Sequence, residues 1–114
     1  MIGGKHHKRT IKLAISNDTR KAVTKRDGGM CIFCGHPGNP EAHFISRAQG
    51  GLGIPENILT VCRPCHNLLD HPQQIKGEKD TNTRVVMLKI AEAYLRDHYP
   101  GWNKEDLIFK KYPF

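Results

Sequence analysis

The residues best suited to chemistry are four cysteines in two pairs, Cys31-x-x-Cys34 and Cys62-x-x-Cys65, with 27 residues between the pairs. Two residues between thiolates let one tight turn aim both sulfurs at a single ion. Two such turns complete a tetrahedral S₄ site, a geometry that favours zinc. Gly35 and Pro64 stand where these turns need a permissive or a fixed φ. Two disulfides or an iron site are the other chemistries open to the same set. Because all four positions are cysteine, an ion held there has no open coordination place, and the site reads as structural.

Such a staple fits the rest of the chain. Of 114 residues, 38% are hydrophobic and 7% aromatic. That is one small domain with a thin core, far too short for a TIM barrel or a two-domain dinucleotide enzyme. No run approaches the roughly 18 apolar residues of a membrane span, and the first residues lack the apolar stretch of a signal peptide. The expectation is a cytoplasmic protein with reduced thiols and no membrane association. Local signals then place the elements. Ser16-Asn17-Asp18 predicts a helix start, with 19–26 helical and a stop at Gly28-Gly29. Residues 41–45 and 58–61 predict two strands, and 66–71 a helix interrupted by Pro72. A polar loop covers 72–80. A helix runs from Thr81 or Asn82 to about His98, with Val86, Ile90, Ala91, Tyr94 and Leu95 at helical spacing and expected in the core. Asn103 caps a short turn, and Trp102 and Phe109 are expected to close an edge. The fold class is small α+β. Residues 1–15 form a basic arm, flexible until a partner ties it down, and 16–114 form a single domain with its core at about 31–72 and a helical part at about 81–114.

Between and just after the cysteine pairs lie His43, Asn57 and His66. Three strings frame them: Arg26-Asp27-Gly28-Gly29-Met30-Cys31-Ile32-Phe33-Cys34-Gly35, then Ala42-His43-Phe44-Ile45-Ser46-Arg47 with Gly50-Gly51, then Glu56-Asn57-Ile58-Leu59-Thr60-Val61-Cys62-Arg63-Pro64-Cys65-His66. Over roughly residues 20–72 the chain resembles the HNH endonucleases, in particular the zinc-knuckle members common in bacterial viruses. The resemblance implies a ββα-metal (His-Me finger) unit in which two strands and a helix surround one catalytic divalent ion, while Cys31, Cys34, Cys62 and Cys65 hold a structural Zn²⁺. The implied activity is metal-dependent hydrolysis of DNA phosphodiesters, by nicking or cutting, leaving a 5′-phosphate and a 3′-hydroxyl. By the same resemblance His43 is the general base, Asn57 fixes the loop that carries it, and His66 ligates the catalytic ion. Many members have Asp directly before the first His as a metal ligand. Here Ala42 stands in that place and cannot ligate. Asp70, four residues after His66 and so on the same face of a helix, is the first choice as replacement; Glu41 and His71 are reserves. A mixed His and carboxylate site accepts Mg²⁺, Mn²⁺ or another transition metal. The implied setting is a bacterial host cell, with the chain phage- or prophage-encoded and acting beside a packaging terminase, as monomer or homodimer.

The charge balance points to a polyanion partner, nucleic acid first and an acidic membrane surface second. The net charge is +7, and residues 1–30 alone hold eight basic and two acidic side chains, a net +6. Lys21, Lys25 and Arg26, on the helix before the first cysteine pair, and Arg47, beside the Gln49-Gly50-Gly51 loop, are the candidate phosphate contacts. No residue set reads bases, so low sequence specificity is expected. Two rival functions use the same residues. One is a zinc-stabilised DNA-binding module without cleavage, in which Ala42 marks a lost site. The other is a redox switch built on the cysteine pairs.

Overall fold

The computed structural model describes residues 8–70 and 81–110. Within them the chain forms α1 (Lys8–Leu13), α2 (Asn17–Asp27), β1 (Asn39–His43), β2 (Ile58–Val61), α3 (Arg63–Asp70) and α4 (Thr81–His98). The architecture is small α+β: one two-stranded antiparallel sheet with helices packed against it. His71, the loop over 72–80 and residues 1–7 of the basic arm lie outside the described residues. Among the described residues no helix is long and apolar enough to cross a membrane.

α2 follows its sequence signals. The Ser16 side chain accepts the Thr19 N–H at 3.1 Å, and the helix stops at Gly28, which takes the left-handed φ of 67° that glycine adopts without strain. Residues 8–15 belong to the segment expected as a basic arm. Residues 8–13 form α1, and Leu13 is buried in the core. The loop after β1 holds the end of this helix. Gly53 donates its N–H to the Lys12 carbonyl at 2.9 Å, and a Cβ at Gly53 would collide with the Ala14 carbonyl. Thr19 adds a bond from its hydroxyl to the Gly53 carbonyl at 2.9 Å.

β1 lies two residues earlier than expected. Asn39 pairs with Val61, Pro40 with Thr60, Ala42 with Leu59 and His43 with Ile58, which leaves Glu41 as an extra residue in a bulge. Beyond His43 the pairing passes to a side chain. Phe44 N–H still donates to the Asn57 carbonyl at 2.8 Å, but Ile45 N–H donates to Asn57 Oδ1 at 2.7 Å. Asn57 Nδ2 returns to the Ile45 carbonyl at 3.1 Å and also reaches the Leu52 carbonyl at 2.8 Å. One amide thus replaces a stretch of ladder, and the strand ends where the side chain takes over. α3 starts earlier than expected, inside the second cysteine pair. Pro64 is tolerated there because a first-turn N–H would have no helical acceptor.

α4 has the expected limits but a different phase. Met87, Ala91 and Leu95 face the core, whereas Val86 is 54% and Ile90 46% exposed, against the expectation that both are core. Tyr94 lies at the edge of the inward stripe, and its hydroxyl donates to Asp27 Oδ1. Ile90 and Val86 fall beyond that edge and point outward. Phe44 meets Trp102 edge-on, with ring centres 5.6 Å apart, and the Trp102 indole donates to the Glu56 carbonyl at 2.8 Å.

Arg26 corrects a second expectation. Its side chain is only 7% exposed and is paired with the fully buried Asp27 carboxylate at 2.7 Å, so it is not a phosphate contact. Its remaining N–H groups reach the Pro55 carbonyl at 2.8 Å, the Ile58 carbonyl at 2.7 Å and the Tyr99 hydroxyl at 3.1 Å. Burial alone would raise the Asp27 carboxyl, but the Arg26 guanidinium and the Tyr94 hydroxyl outweigh it and hold it below the usual carboxylate range. The ion pair therefore joins α2 to β2, to the turn before it and to α4. Arg26→Met would leave a buried carboxylate uncompensated, and a loss of about 3–5 kcal/mol of stability is expected in a denaturant titration.

Candidate functional site

The two cysteine turns meet at one end of the sheet. Gly35 N–H donates to the Cys31 carbonyl at 2.9 Å with Gly35 at φ 80°, which shapes the first turn. Ile32 N–H donates to the Thr60 carbonyl at 3.1 Å, tying that turn to β2, which runs directly into Cys62. The four sulfurs lie within 4.8 Å of one another, and Cys34 Sγ is 3.5 Å from Cys62 Sγ. A tetrahedral zinc site with Zn–S near 2.3 Å spaces its sulfurs by about 3.8 Å. All four converge on one point, the arrangement of a common ion rather than of two separate bridges. The electrostatics also ask for a cation. Burial pushes the Cys31 thiol up, but backbone groups of Cys62, Cys34 and Phe33 outweigh it and bring it down to about 7. Burial and the neighbouring sulfurs of Cys62, Cys31 and Cys34 push the Cys65 thiol up. Four crowded thiols resist ionising together, and a divalent cation removes that repulsion. The cluster could bind a zinc ion.

A second group of polar residues lines an open cleft of about 640 Å³. His43, Arg47, His66 and Asp70, all picked out by sequence, border it together with Glu41. His43 sits at the end of β1, where its Nε2 is 2.9 Å from the Leu13 carbonyl. A carbonyl only accepts, so Nε2 carries the proton and Nδ1 keeps its lone pair. Leu13 ends α1, and the carbonyls of a last helical turn have no partner within the helix, which leaves this one free for the imidazole. Burial holds the His43 imidazole below its ordinary value of 6.5; the Arg47 and His66 charges add to that, against the Leu13 carbonyl and Asp70. His66 lies in the first half of α3, partly buried. Its Nε2 is 2.8 Å from Asp70 Oδ2, one helical turn on, and its Nδ1 is 3.5 Å from Glu41 Oε1.

Asn57 is fully buried behind this cleft. Its three bonds to Ile45 and Leu52 shape the loop that follows His43. Gly51 makes that possible, because a Cβ there would collide with the Ile45 carbonyl and come 2.9 Å from Asn57 Nδ2. Lys21 and Lys25 are exposed on α2 but do not border the cleft. Two residues that sequence reasoning missed do: Arg20 and Arg84. Arg20 lies three residues before the buried Val23, so a helical projection from Val23 would have placed it on the inward side of α2. Arg84 carries no such signal. It reaches the cleft only because α4 packs on α3, where Arg84 Nε donates to the Leu69 carbonyl at 2.8 Å. The cleft therefore combines an imidazole of fixed tautomer, a His66–Asp70 pair and three guanidinium groups suited to an anion.

Comparison with protein-family models, with curated proteins and with solved structures finds no match for this chain.

Proposed function

We propose that the protein is a metal-dependent DNA endonuclease of the HNH kind, in which β1, β2 and α3 form the ββα-metal unit and the four cysteines hold a structural Zn²⁺. The observation that carries this reading is that His43, with Nδ1 free, shares one cleft with the His66–Asp70 pair. Its donor set suits a divalent cation, with one imidazole nitrogen and one carboxylate on consecutive turns of a helix. Such an ion supplies electrostatic stabilisation to the scissile phosphate and to the departing 3′ oxygen. His43 Nδ1 takes the proton from the attacking water, and the Leu13 carbonyl stabilises the resulting imidazolium through Nε2–H. Arg20, Arg47 and Arg84 hold phosphate oxygens at the cleft, and Lys21 and Lys25 extend the charge along the duplex. None of these groups reads base edges, in keeping with low sequence specificity.

Supercoiled plasmid tests the reading. Zinc-loaded protein should convert it to open circles with Mg²⁺ or Mn²⁺ and leave it intact with EDTA. No nicking by folded, zinc-loaded protein under any divalent ion favours the second reading, a zinc-stabilised DNA-binding module. Ala42 is the observation on that side: it is buried against the core at the place where the family carries a ligand carboxylate. The pH profile is a further expected outcome. His43 is active only when neutral, and its depressed pKa keeps it neutral to lower pH, so the acid limb of log(kcat/KM) should fall below 6.5. A limb above that value would count against His43 as the base.

A further inference from the structure

We propose that Thr19 and Gly53 are positioning residues for His43, which together fix the end of α1 so that the Leu13 carbonyl meets Nε2; this rests on the nuclease reading above, in which His43 is the base. A backbone oxygen sets the tautomer of an imidazole only if the chain that carries it is held in place. α1 has six residues, too few to be a stable helix alone, so its last turn needs outside contacts. Gly53 supplies them. Its N–H donates to the Lys12 carbonyl at 2.9 Å, one residue before the carbonyl that His43 uses. It also lies so close that a Cβ there would collide with the Ala14 carbonyl and stand 3.0 Å from the Leu13 oxygen. Gly53 does not take a left-handed φ, so space at the end of α1, and not backbone strain, demands glycine here.

Thr19 holds Gly53 in turn. It is buried, and its hydroxyl donates to the Gly53 carbonyl at 2.9 Å. The Ser16 hydroxyl donates to Thr19 Oγ1 at 3.1 Å, which leaves the Thr19 proton for Gly53. The preceding residue of the loop is fixed as well. The Leu52 carbonyl accepts from Asn57 Nδ2 at 2.8 Å, and Leu52 N–H donates to the Leu107 carbonyl at 2.8 Å. The loop between β1 and β2 is thus a bracket, shaped by Asn57 and closed by Thr19, that sets the end of α1 against His43. Without it the Leu13 carbonyl withdraws, and the ring is free to carry its proton on Nδ1, the atom that must take the proton of water.

The test reads the His43 tautomer by ¹⁵N NMR of the zinc-loaded full chain, at a pH well above 6.5 where the ring is neutral. Loss of the resonances in His43→Gln assigns them, and zinc content and the thermal transition are the controls. The unaltered chain should show the Nε2–H tautomer alone. Thr19→Val removes the hydroxyl at nearly constant shape and should give a mixture of tautomers. Its kcat for plasmid nicking should fall roughly five- to tenfold, the worth of one hydrogen bond, with KM unchanged. Thr19→Ser keeps the hydroxyl and should restore both the single tautomer and the rate. Gly53→Ala drives the end of α1 away and should lower kcat by about 100-fold, as a misplacement of about 1 Å can. A purely structural Thr19 would lower the melting temperature of Thr19→Val and leave the tautomer of its folded molecules as it was. That result, an unaltered chain already mixed, or Thr19→Ser as mixed as Thr19→Val would overturn the proposal. Should Gly53→Ala not fold, the Thr19 pair still decides. The reading beneath it fails separately: if the variants loosen the tautomer as expected but the unaltered chain nicks no DNA, the bracket stands and the catalytic role of His43 is refuted.

Discussion

Supercoiled plasmid should stay supercoiled when His43→Ala protein is added, under every divalent ion that activates the unaltered chain. The general base contributes roughly 10²–10⁴-fold to reactions of this kind, enough to push nicking below detection in an ordinary gel assay. The fold should survive the change. His43 is at the end of β1 and only half buried, and its hydrogen bond among the described residues is with the Leu13 carbonyl. An orphaned carbonyl costs about 1–3 kcal/mol at most when fully dry, and this one borders an open cleft. His43→Gln is the stricter variant. Its amide can still donate to Leu13, yet it cannot act as a base near neutral pH. Loss of nicking in both variants, with zinc content and DNA binding intact, assigns the proton transfer to His43. Nicking at the unaltered rate in either one removes it from the mechanism.

If the four cysteines hold zinc, chelating it, or changing Cys62→Ser, should abolish the cooperative thermal transition. Binding at structural zinc sites amounts to roughly 10–16 kcal/mol in small peptides. The whole stability of a small domain is about 5–15 kcal/mol, so removal of the ion outweighs what remains. The placement of the cluster adds to the case. Cys62 directly follows β2 and precedes α3, and the first turn is bonded to Thr60 of the same strand. Among the described residues this sheet has two strands and no further strand to hold it in register. Circular dichroism melts with and without a strong chelator decide the point, and an unchanged melt would show that the cluster is dispensable. Because His66 N–H donates to the Cys62 carbonyl at 2.9 Å, the cleft should lose its shape together with the cysteine end.

Much of the site was legible because its residue types are rare and ordered. Two C-x-x-C pairs converge on a point, and His43, His66 and Asp70 share a cleft, each named from spacing or from resemblance. The Ser16 cap and the Gly28 stop were legible for a local reason, since both depend on one residue and its nearest neighbours. What sequence did not convey depends on contacts between distant segments. Arg26 reads as one more cation in a basic stretch, and its burial follows only from Tyr99, Pro55 and Ile58 closing over it. The end of β1 was misplaced because an asparagine side chain, not a strand, pairs with Ile45. The phase of α4 is not legible because Val86 and Ile90 have the right chemistry for a core, while Met87, Ala91 and Leu95 are the residues that face it. Glu41 was a reserve ligand in sequence terms; the bulge that frees it is a feature of register, which composition does not encode.

The partner of His43 has a different kind of vulnerability from the rest of the site. The oxygen it bonds to belongs to the backbone of Leu13, so no exchange of side chains deletes it. Position 13 can vary as far as packing allows without touching the proton on Nε2. A change in chain length would move that oxygen. One residue gained or lost between Leu13 and the Ser16 cap would rotate the end of α1 away while every named side chain stayed in place. For Leu13, insertions and deletions beside it are the damaging mutations and substitutions of its side chain the tolerated ones, the reverse of what holds for His43 itself.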